Sequence, residues 1–190
     1  MMNPTDEELV MAYYQGEDEA FGCLFQRYRT PVFNFSLRML ASRADAEDVV
    51  AETFLQLSAK RYRHQPGAKF GTWLMTVARN ACLTHIRQRK KGLWSWWTSL
   101  KAQEMTTDHT PAEKASPREI LDQRESSRKV REAIGRLPVP QREALILREY
   151  HGLSYAEIGR ILNVSLEQVK IRLFRARECL RVSLKEVWNG

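Results

Sequence analysis

Two helix-start signals follow each other closely in residues 151–181, HGLSYAEIGRILNVSLEQVKIRLFRARECLR, and they constrain the fold more than any other feature. Ser154 with Glu157, and Ser165 with Gln168, form the S-x-x-E/Q pattern, in which the two side chains satisfy free backbone amides at a helix start. Two short helices are therefore expected to begin here. Apolar residues recur at helical spacing in both segments. The arrangement predicts a helix-turn-helix.

The second helix is rich in arginine, and its apolar side is expected to begin at Leu166. At about 100° per residue, the opposite face contains Glu167, Gln168, Ile171, Phe174, Arg175 and Glu178, flanked by Lys170, Arg172 and Arg177. A recognition helix needs long donors that reach base edges and cations that hold phosphates. A solvated basic helix is the alternative, and the paired caps favour recognition over it.

The composition suits a helical protein with a polyanionic partner. The 190 residues are 43% hydrophobic, and the formal net charge is +7. Lysine and arginine outnumber the acids in residues 1–91 and 126–190, whereas acids are in excess in 92–125. A basic balance of this kind is compatible with nucleic-acid binding.

Several classes of site find no support in the sequence. Cys23, Cys82 and Cys179 are far apart, with no C-x-x-C or Cys/His ligand spacing, so neither a metal site nor a disulfide framework is expected. We find no catalytic constellation and no phosphate-binding glycine loop, and we expect no cofactor. The polar start and the absence of a long apolar run predict a cytoplasmic protein without membrane insertion.

The chain is predicted to be all-α, with two small helical domains joined by a flexible linker. Residues 1–91 are expected to form four helices: the first starts at a Thr5/Glu8 capping box, the second has a kink or interruption at Pro31, and the fourth ends near Lys91. Residues 92–125 are predicted to be a polar linker, apart from Trp94, Trp96 and Trp97. Residues 126–190 form a second, four-helix domain that contains the helix-turn-helix.

Three stretches in this order resemble the extracytoplasmic-function group of the bacterial sigma-70 family. They are DAEDVVAETFLQL at 45–57, FGTWLMTVARNACLTHIRQRKK at 70–91, and LPVPQREALILREYHGLSYAEIGRILNVSLEQVKIRLFRARECLR at 137–181. The resemblance implies a subunit that binds core RNA polymerase, directs it to promoters and assists DNA melting. It also implies control by an anti-sigma factor, and domain roles of polymerase docking with minus-10 recognition in 1–91 and minus-35 recognition in 126–190.

The resemblance implies that the first stretch docks on the clamp helices of the largest polymerase subunit, while the flap of the second-largest subunit is a further contact. The implied polymerase-binding residues are Asp45, Glu47, Asp48, Val49, Glu52, Thr53 and Phe54. The apolar members, together with Val50 and Leu57, are expected to divide between the core and the polymerase. An acidic helix start that only complements the helix dipole is the alternative for the carboxylates.

The second and third stretches are implied to bind promoter DNA. The minus-10 set is Lys60, Arg61, Arg63, Lys69, Asn80, Thr84, Arg87, Arg89 and Lys90. The minus-35 set is Ser165, Glu167, Gln168, Lys170, Ile171, Arg172, Phe174 and Arg175. Many family members carry serine where this chain has Ile171, which could meet a thymine methyl group or pack against a partner. The Trp cluster could be either a contact surface or a helical extension.

A conventional helix-turn-helix regulator is the second hypothesis. In that case residues 5–91 would be a sensing or dimerising domain, and the chain would bind two operator half-sites without polymerase. An enzyme is a distant third, because His64, His85, His109 and His151 are isolated from other candidate catalytic groups.

Overall fold

The computed structural model describes residues 4–62, 69–96 and 128–188, apart from the side chains of 90–96 and 186–188. These ranges contain helices and no strands. Helices α1 to α4 form the N-terminal half, and α5 to α8 form the C-terminal half. In chain order they are α1 (Asp6–Tyr14), α2 (Asp18–Leu40), α3 (Arg43–Ser58), α4 (Phe70–Trp96), α5 (128–136), α6 (Val139–Glu149), α7 (Tyr155–Leu162) and α8 (Leu166–Trp188).

Local signals place the first helices where the sequence predicts them. Thr5 accepts from the Glu8 amide at 3.2 Å, and the Glu8 carboxylate accepts from the Thr5 amide at 2.7 Å, which confirms the first capping box. Gly16, with φ of 107°, lies in the predicted break before α2. Of the kink or interruption predicted at Pro31, the interruption is wrong, because α2 continues through it. Packing on both sides of the proline outweighs the lost backbone hydrogen bond, which costs about 3 kcal/mol in a helix interior.

Helix α2 lies at the centre of the N-terminal half and packs against α1, α3 and α4. Its Leu24 and Phe35 are fully buried, as are Leu57 of α3 and Phe70 and Leu74 of α4. Phe70 and Leu74 thus belong to the core, as their helical spacing indicates. Helix α4 extends past its predicted end near Lys91 as far as Trp96, so the backbone of the first tryptophans continues the helix.

The C-terminal half contains the predicted helix-turn-helix. The Ser154/Glu157 capping box starts α7, and Asn163, in a left-handed conformation, ends it. The Gln168 amide then donates to Ser165 Oγ at 3.2 Å at the start of α8. Two details were predicted wrongly. Helix α8 is 23 residues long rather than short, since its apolar spacing continues past the turn. Leu166 is 51% exposed, because the first turn of α8 overhangs the core.

The two halves pack against each other, with α4 against α7 and α2 against α6. Among the described residues, no helix is both long and apolar enough to cross a membrane. Residues 97–125 of the predicted linker, which include Trp97, lie outside the described residues, as do the side chains of Trp94 and Trp96.

Candidate nucleic-acid and polymerase interfaces

Helix α3 separates an acidic outer face from an apolar inner face. Asp48 and Glu52, one turn apart, are exposed. Val49, Thr53 and Phe54 are buried, and Thr53 Oγ1 donates to the Val49 carbonyl at 2.6 Å. Of the implied polymerase-binding set, these three therefore contribute to the core. The two exposed carboxylates repel each other modestly unless a cationic partner approaches them.

Glu52 Oε1 lies 3.3 Å from His85 Nε2 of α4, and the other two acids of this set also have partners. Asp45 accepts a charge-assisted hydrogen bond from Arg89, and its carboxylate lies 3.9 Å from the His85 ring. Glu47 pairs with Arg43 one turn earlier at 3.0 Å. Asp45 therefore serves to join α3 to α4, while Glu47 remains exposed with a weak surface pair.

Leu55 is a candidate contact residue that the sequence reasoning missed. It is 62% exposed on the same face of α3 as Asp48 and Glu52, at i+7 and i+3 from them. Its helical position relative to the buried residues is the signal that could have identified it. An apolar side chain beside two carboxylates gives the face both a hydrophobic and an acidic component.

Helix α4 presents a polar stripe in which Asn80, Thr84 and Arg87 are exposed at i, i+4 and i+7. Thr84 Oγ1 donates to the Asn80 backbone carbonyl at 3.1 Å, and the Asn80 side chain is exposed. An amide edge beside a guanidinium is suited to reading and holding an unpaired base. Arg89 lies elsewhere, donating to the Leu40 carbonyl at 3.0 Å as well as to Asp45.

The remaining members of the minus-10 set differ in their exposure and contacts. Lys60, in a left-handed conformation after α3, donates to the Tyr14 carbonyl at 3.1 Å. Arg61 is exposed. Lys69 forms an ion pair of 2.9 Å with Glu157 of α7. Arg63 and the side chain of Lys90 lie outside the described residues.

Helix α8 exposes most of the minus-35 set on one face, whose members are Glu167, Gln168, Lys170, Ile171, Phe174 and Arg175. Phe174 is 67% exposed, which is unusual for phenylalanine. Ser165 acts as the cap of the helix. Within the described ranges, neither Lys170 nor Arg175 forms an ion pair, so both cations are available to phosphates.

Arg172 is the exception, because it is held by a buried carboxylate. Arg172 Nη1 donates to Glu143 Oε1 at 3.1 Å, and the Glu143 side chain is only 2% exposed. Arg79 of α4 donates to the same carboxylate through Nε at 2.8 Å and Nη2 at 3.2 Å. The sequence reasoning identified neither Glu143 nor Arg79, since both occur within apolar helical segments and their partners are distant in sequence.

Titratable side chains elsewhere serve the fold. Burial raises the pKa of the Cys82 thiol to about 12, so the thiol stays protonated. The Lys69 and Ser154 hydrogen bonds lower the pKa of Glu157 to about 2. Across the described part of the chain, no three His, Cys, Asp or Glu side chains gather as metal ligands would.

Two family models match the sequence. Sigma-70 region 2 matches residues 24–92, and Sigma-70, region 4 matches residues 127–180. The first match contains α3 and most of α4, and the second contains the helix-turn-helix. Both matches include the surfaces described above.

Curated relatives match along nearly their whole length. The RNA polymerase sigma factor CarQ of Myxococcus xanthus is 32% identical, over 92% of this chain and 95% of the relative. The ECF RNA polymerase sigma-E factor of Escherichia coli (strain K12) is 30% identical, over 93% of this chain and 92% of the relative.

Solved structures share the fold. A sigma factor RpoE from Bartonella quintana, in complex with the anti-sigma factor NepR, aligns with a TM-score of 0.70 at 24% identity, over 87% of this chain and 96% of that chain. The protein CnrH, in complex with the cytosolic domain of CnrY, aligns with a TM-score of 0.68 at 21% identity, over 96% and 99% of the two chains. Because the chain matches both sigma-70 regions and relatives along nearly their whole length, it belongs to the extracytoplasmic-function group of the sigma-70 family of RNA polymerase sigma factors.

Proposed function

We propose that this chain is a dissociable initiation subunit that docks on core RNA polymerase through α3 and recognises promoter DNA through α4 and α8. The observation that carries this proposal is that three exposed surfaces of different chemistry occur on one chain: an acidic and apolar face, an amide and guanidinium stripe, and a recognition-helix face. A factor that must bind a protein and two DNA elements needs such a set. The chain acts in the cytoplasm, where polymerase is, and contributes no catalytic residue of its own.

Polymerase docking is assigned to the exposed side of α3. Asp48 and Glu52 supply negative charge that a basic polymerase surface would neutralise, and Leu55 supplies apolar area beside them. Charge complementarity of this kind speeds association and sets orientation, whereas buried apolar contact supplies much of the affinity. The implied contact on the polymerase is the clamp helices of the largest subunit.

Minus-10 recognition is assigned to the stripe formed by Asn80, Thr84 and Arg87, and the exposed Arg61 is a further cation of the minus-10 set. A base extruded from the duplex can be read at its pairing edge by an amide, while cations hold the single strand. Lys69 and Arg89 join this surface only after exchanging their present carboxylate partners for phosphates.

Minus-35 recognition is assigned to the outer face of α8. Gln168 can form paired hydrogen bonds with an adenine edge, and Ile171 can contact a thymine methyl group. Lys170 and Arg175 are placed to bind phosphates. Each half alone is expected to bind promoter DNA weakly, and attachment of both to polymerase raises their effective concentration at correctly spaced elements.

An anti-sigma factor is the proposed regulator. The two solved structures compared above are complexes of a sigma factor with the anti-sigma factor NepR and of CnrH with the cytosolic domain of CnrY. An inhibitor that covers the exposed faces of α3 and α8 would withhold both polymerase and promoter contacts.

The proposed function is tested by reversing the charge of Asp48 and measuring binding to purified core polymerase. Asp48→Arg should weaken binding at least tenfold, about 1.4 kcal/mol, because the carboxylate is exposed and its loss leaves the core intact. Glu19→Arg, an equal charge change at an exposed position of α2, should bind like wild type. A chain that binds no core but binds DNA as a dimer would be a conventional regulator instead.

A further inference from the structure

The centre of the outer face of α8 is apolar, although the helix around it is strongly charged. Ile171 is 43% exposed and Phe174 is 67% exposed. The two residues are three positions apart, so their side chains are neighbours on one face of the helix. Adjoining exposed apolar side chains mark an interaction site more often than isolated ones do. The pair therefore needs a partner that offers apolar surface.

Cations lie on both sides of this apolar pair. Ile171 and Phe174 are about 60° apart around the helix, at about 100° per residue. Lys170 lies about 40° outside the pair on one side, and Arg175 lies about 40° outside it on the other. Both cations are exposed, and neither forms an ion pair within the described ranges. The partner thus combines negative charge at two edges with apolar groups between them.

Two further arginines of α8 are held by the fold. Arg172 donates to Glu143 Oε1 at 3.1 Å, and Arg177 donates to Glu149 Oε1 at 2.7 Å. An arginine contact to guanine, the commonest specific base contact, uses both arms of a guanidinium. The fold therefore leaves base reading to the side chains at the centre of the outer face rather than to these two arginines.

The major groove of DNA has the chemistry that this face requires. Phosphates line its edges, and the thymine C5-methyl group supplies apolar surface on the base edges. Three helical residues span about 4.5 Å, close to the step of about 3.4 Å between base pairs. Ile171 and Phe174 can therefore reach methyl groups on neighbouring base pairs. Glu167, exposed one turn before Ile171, fits this setting because its carboxylate can accept from a base amino group.

Resting on the proposed function, we propose that Ile171 and Phe174 read the minus-35 element through the C5-methyl groups of thymines at neighbouring base pairs. Gln168, three residues before Ile171 on the same helix, is placed to read an adjacent adenine. 5-Methylcytosine carries a methyl group at the same place as thymine. Methylation of a cytosine at either position therefore strengthens binding.

Replacing thymine by deoxyuridine tests this reading, because the two differ only in the C5-methyl group. A promoter fragment selected with the wild-type holoenzyme is synthesised with deoxyuridine in place of each minus-35 thymine in turn, and holoenzyme binding is measured by gel-shift titration. Loss of one contacted methyl group should weaken binding about fourfold, which corresponds to about 0.8 kcal/mol for one buried CH2 group. At the same position, 5-methylcytosine should bind about fourfold more tightly than cytosine.

Variants of α8 assign the methyl effect to the apolar pair. Ile171→Ala and Phe174→Ala leave the core intact because both side chains are exposed, and each should bind thymine and deoxyuridine equally at one of the two positions. Ile171→Val, which keeps a branched apolar side chain, should retain most of the difference. Val182→Ala, 53% exposed on the same helix but outside the minus-35 set, should retain all of it.

The outcomes separate this inference from the proposed function. Holoenzyme binding without loss at any deoxyuridine position, or a selected minus-35 element without thymine on either strand, would overturn the inference and leave the proposed function standing. A methyl effect that persists in both alanine variants would also overturn it. Loss of core-polymerase binding by Phe174→Ala would assign the apolar pair to a protein contact instead. No holoenzyme binding to any fragment would refute the proposed function, and the inference with it.

Discussion

The two proposed DNA-binding surfaces differ in how far the chain itself occupies them. On α8, Lys170 and Arg175 stand exposed with no ion pair in the described part of the chain, and Arg172 alone is held. In the minus-10 set, Lys60, Lys69 and Arg89 each contact another part of the chain. The contacts of Lys60 and Arg89 lie within the N-terminal half and only that of Lys69 reaches the C-terminal half, so the fold of the N-terminal half itself occupies most of these cations.

The surface and buried ion pairs differ in how much they contribute to stability. The Arg43–Glu47 pair lies at the surface, where salt and side-chain entropy reduce its contribution to below about 1 kcal/mol. Glu143 is buried, and removing one partner of a buried pair typically costs about 3–5 kcal/mol. The comparison predicts that stability depends on the junction between the halves far more than on the exposed pairs.

The largest expected effect is that of Glu143→Ala. It leaves Arg79 and Arg172 without their shared carboxylate, and we expect the free energy of unfolding to fall by about 3 kcal/mol, since both arginines keep some solvent contact. Urea unfolding measures the loss. Glu132→Ala, which removes an exposed pair with Arg128, should cost less than about 1 kcal/mol. Equal losses in the two variants would contradict a distinct role for the junction.

A smaller loss is expected from Gly159→Ala in α7. An added Cβ would lie 3.0 Å from the Val164 carbonyl oxygen in the turn before α8, and backbone cannot move away cheaply. We expect a loss of about 1–3 kcal/mol in unfolding free energy, and weaker binding of minus-35 DNA. Gly135→Ala has open space at its Cβ and should be neutral or stabilising by up to about 1 kcal/mol. Thermal unfolding of both variants checks this, and matching losses would count against the close approach.

Phe174→Ala should weaken DNA binding without lowering the stability of the fold. Its ring is exposed, so removal should leave the unfolding midpoint nearly unchanged, yet holoenzyme binding to a promoter fragment selected with wild type should fall about tenfold. Val182→Ala, on the same helix and 53% exposed, lies outside the proposed minus-35 set and should bind like wild type. Gel-shift titration distinguishes them. Unchanged binding by Phe174→Ala would remove this residue from the proposed surface.

The smallest expected effect is a pH dependence of stability that arises from His151. Burial, together with Arg38, lowers the pKa of His151 from 6.5 to about 4, and its ring packs 6.0 Å from Phe35 across the junction. The folded chain holds the ring neutral, whereas the unfolded chain, in which the ring regains its ordinary pKa, takes up a proton. The stability that depends on the neutral ring is thus fully present above pH 6.5 and is lost as pH falls from 6.5 towards 4.

Urea unfolding measures this dependence. The free energy of unfolding should fall as the pH is lowered from about 7.5 to about 5, and His151→Gln should remove part of the change. The other polar side chains that line the pocket around this ring are Thr30, Asn34, Arg38 and Tyr150. An unchanged pH response in His151→Gln would assign it to another group.

The sequence predicts the local features of this fold well, for physical reasons. Capping boxes at Thr5 and Ser154 depend on residues three positions apart, and the exposed face of α8 follows from helical periodicity. The continuation of α2 through Pro31 cannot be predicted from local rules, because it depends on tertiary packing. The Glu143–Arg79 pair joins residues 64 positions apart. No pattern within either helix indicates that pairing.

For the site, the sequence predicts which residues are exposed but not which tertiary contacts they make. Exposure of Asp48, Glu52 and the outer residues of α8 follows from periodicity, but the capture of Arg172 by Glu143 and of Lys69 by Glu157 depends on tertiary packing. Leu55 was missed because an apolar residue in a helix is ordinarily assigned to the core.

The decisive measurement is transcription from a pool of random promoter fragments by purified bacterial core RNA polymerase, with and without this protein. It tests directly whether the chain directs core polymerase to promoters. We expect discrete transcripts that require the wild-type chain, retain their full yield with Glu19→Arg and disappear with Asp48→Arg. The upstream sequences of those transcripts would define the two elements that α4 and α8 recognise. An absence of protein-dependent transcripts, or equal transcription by Asp48→Arg, would contradict it.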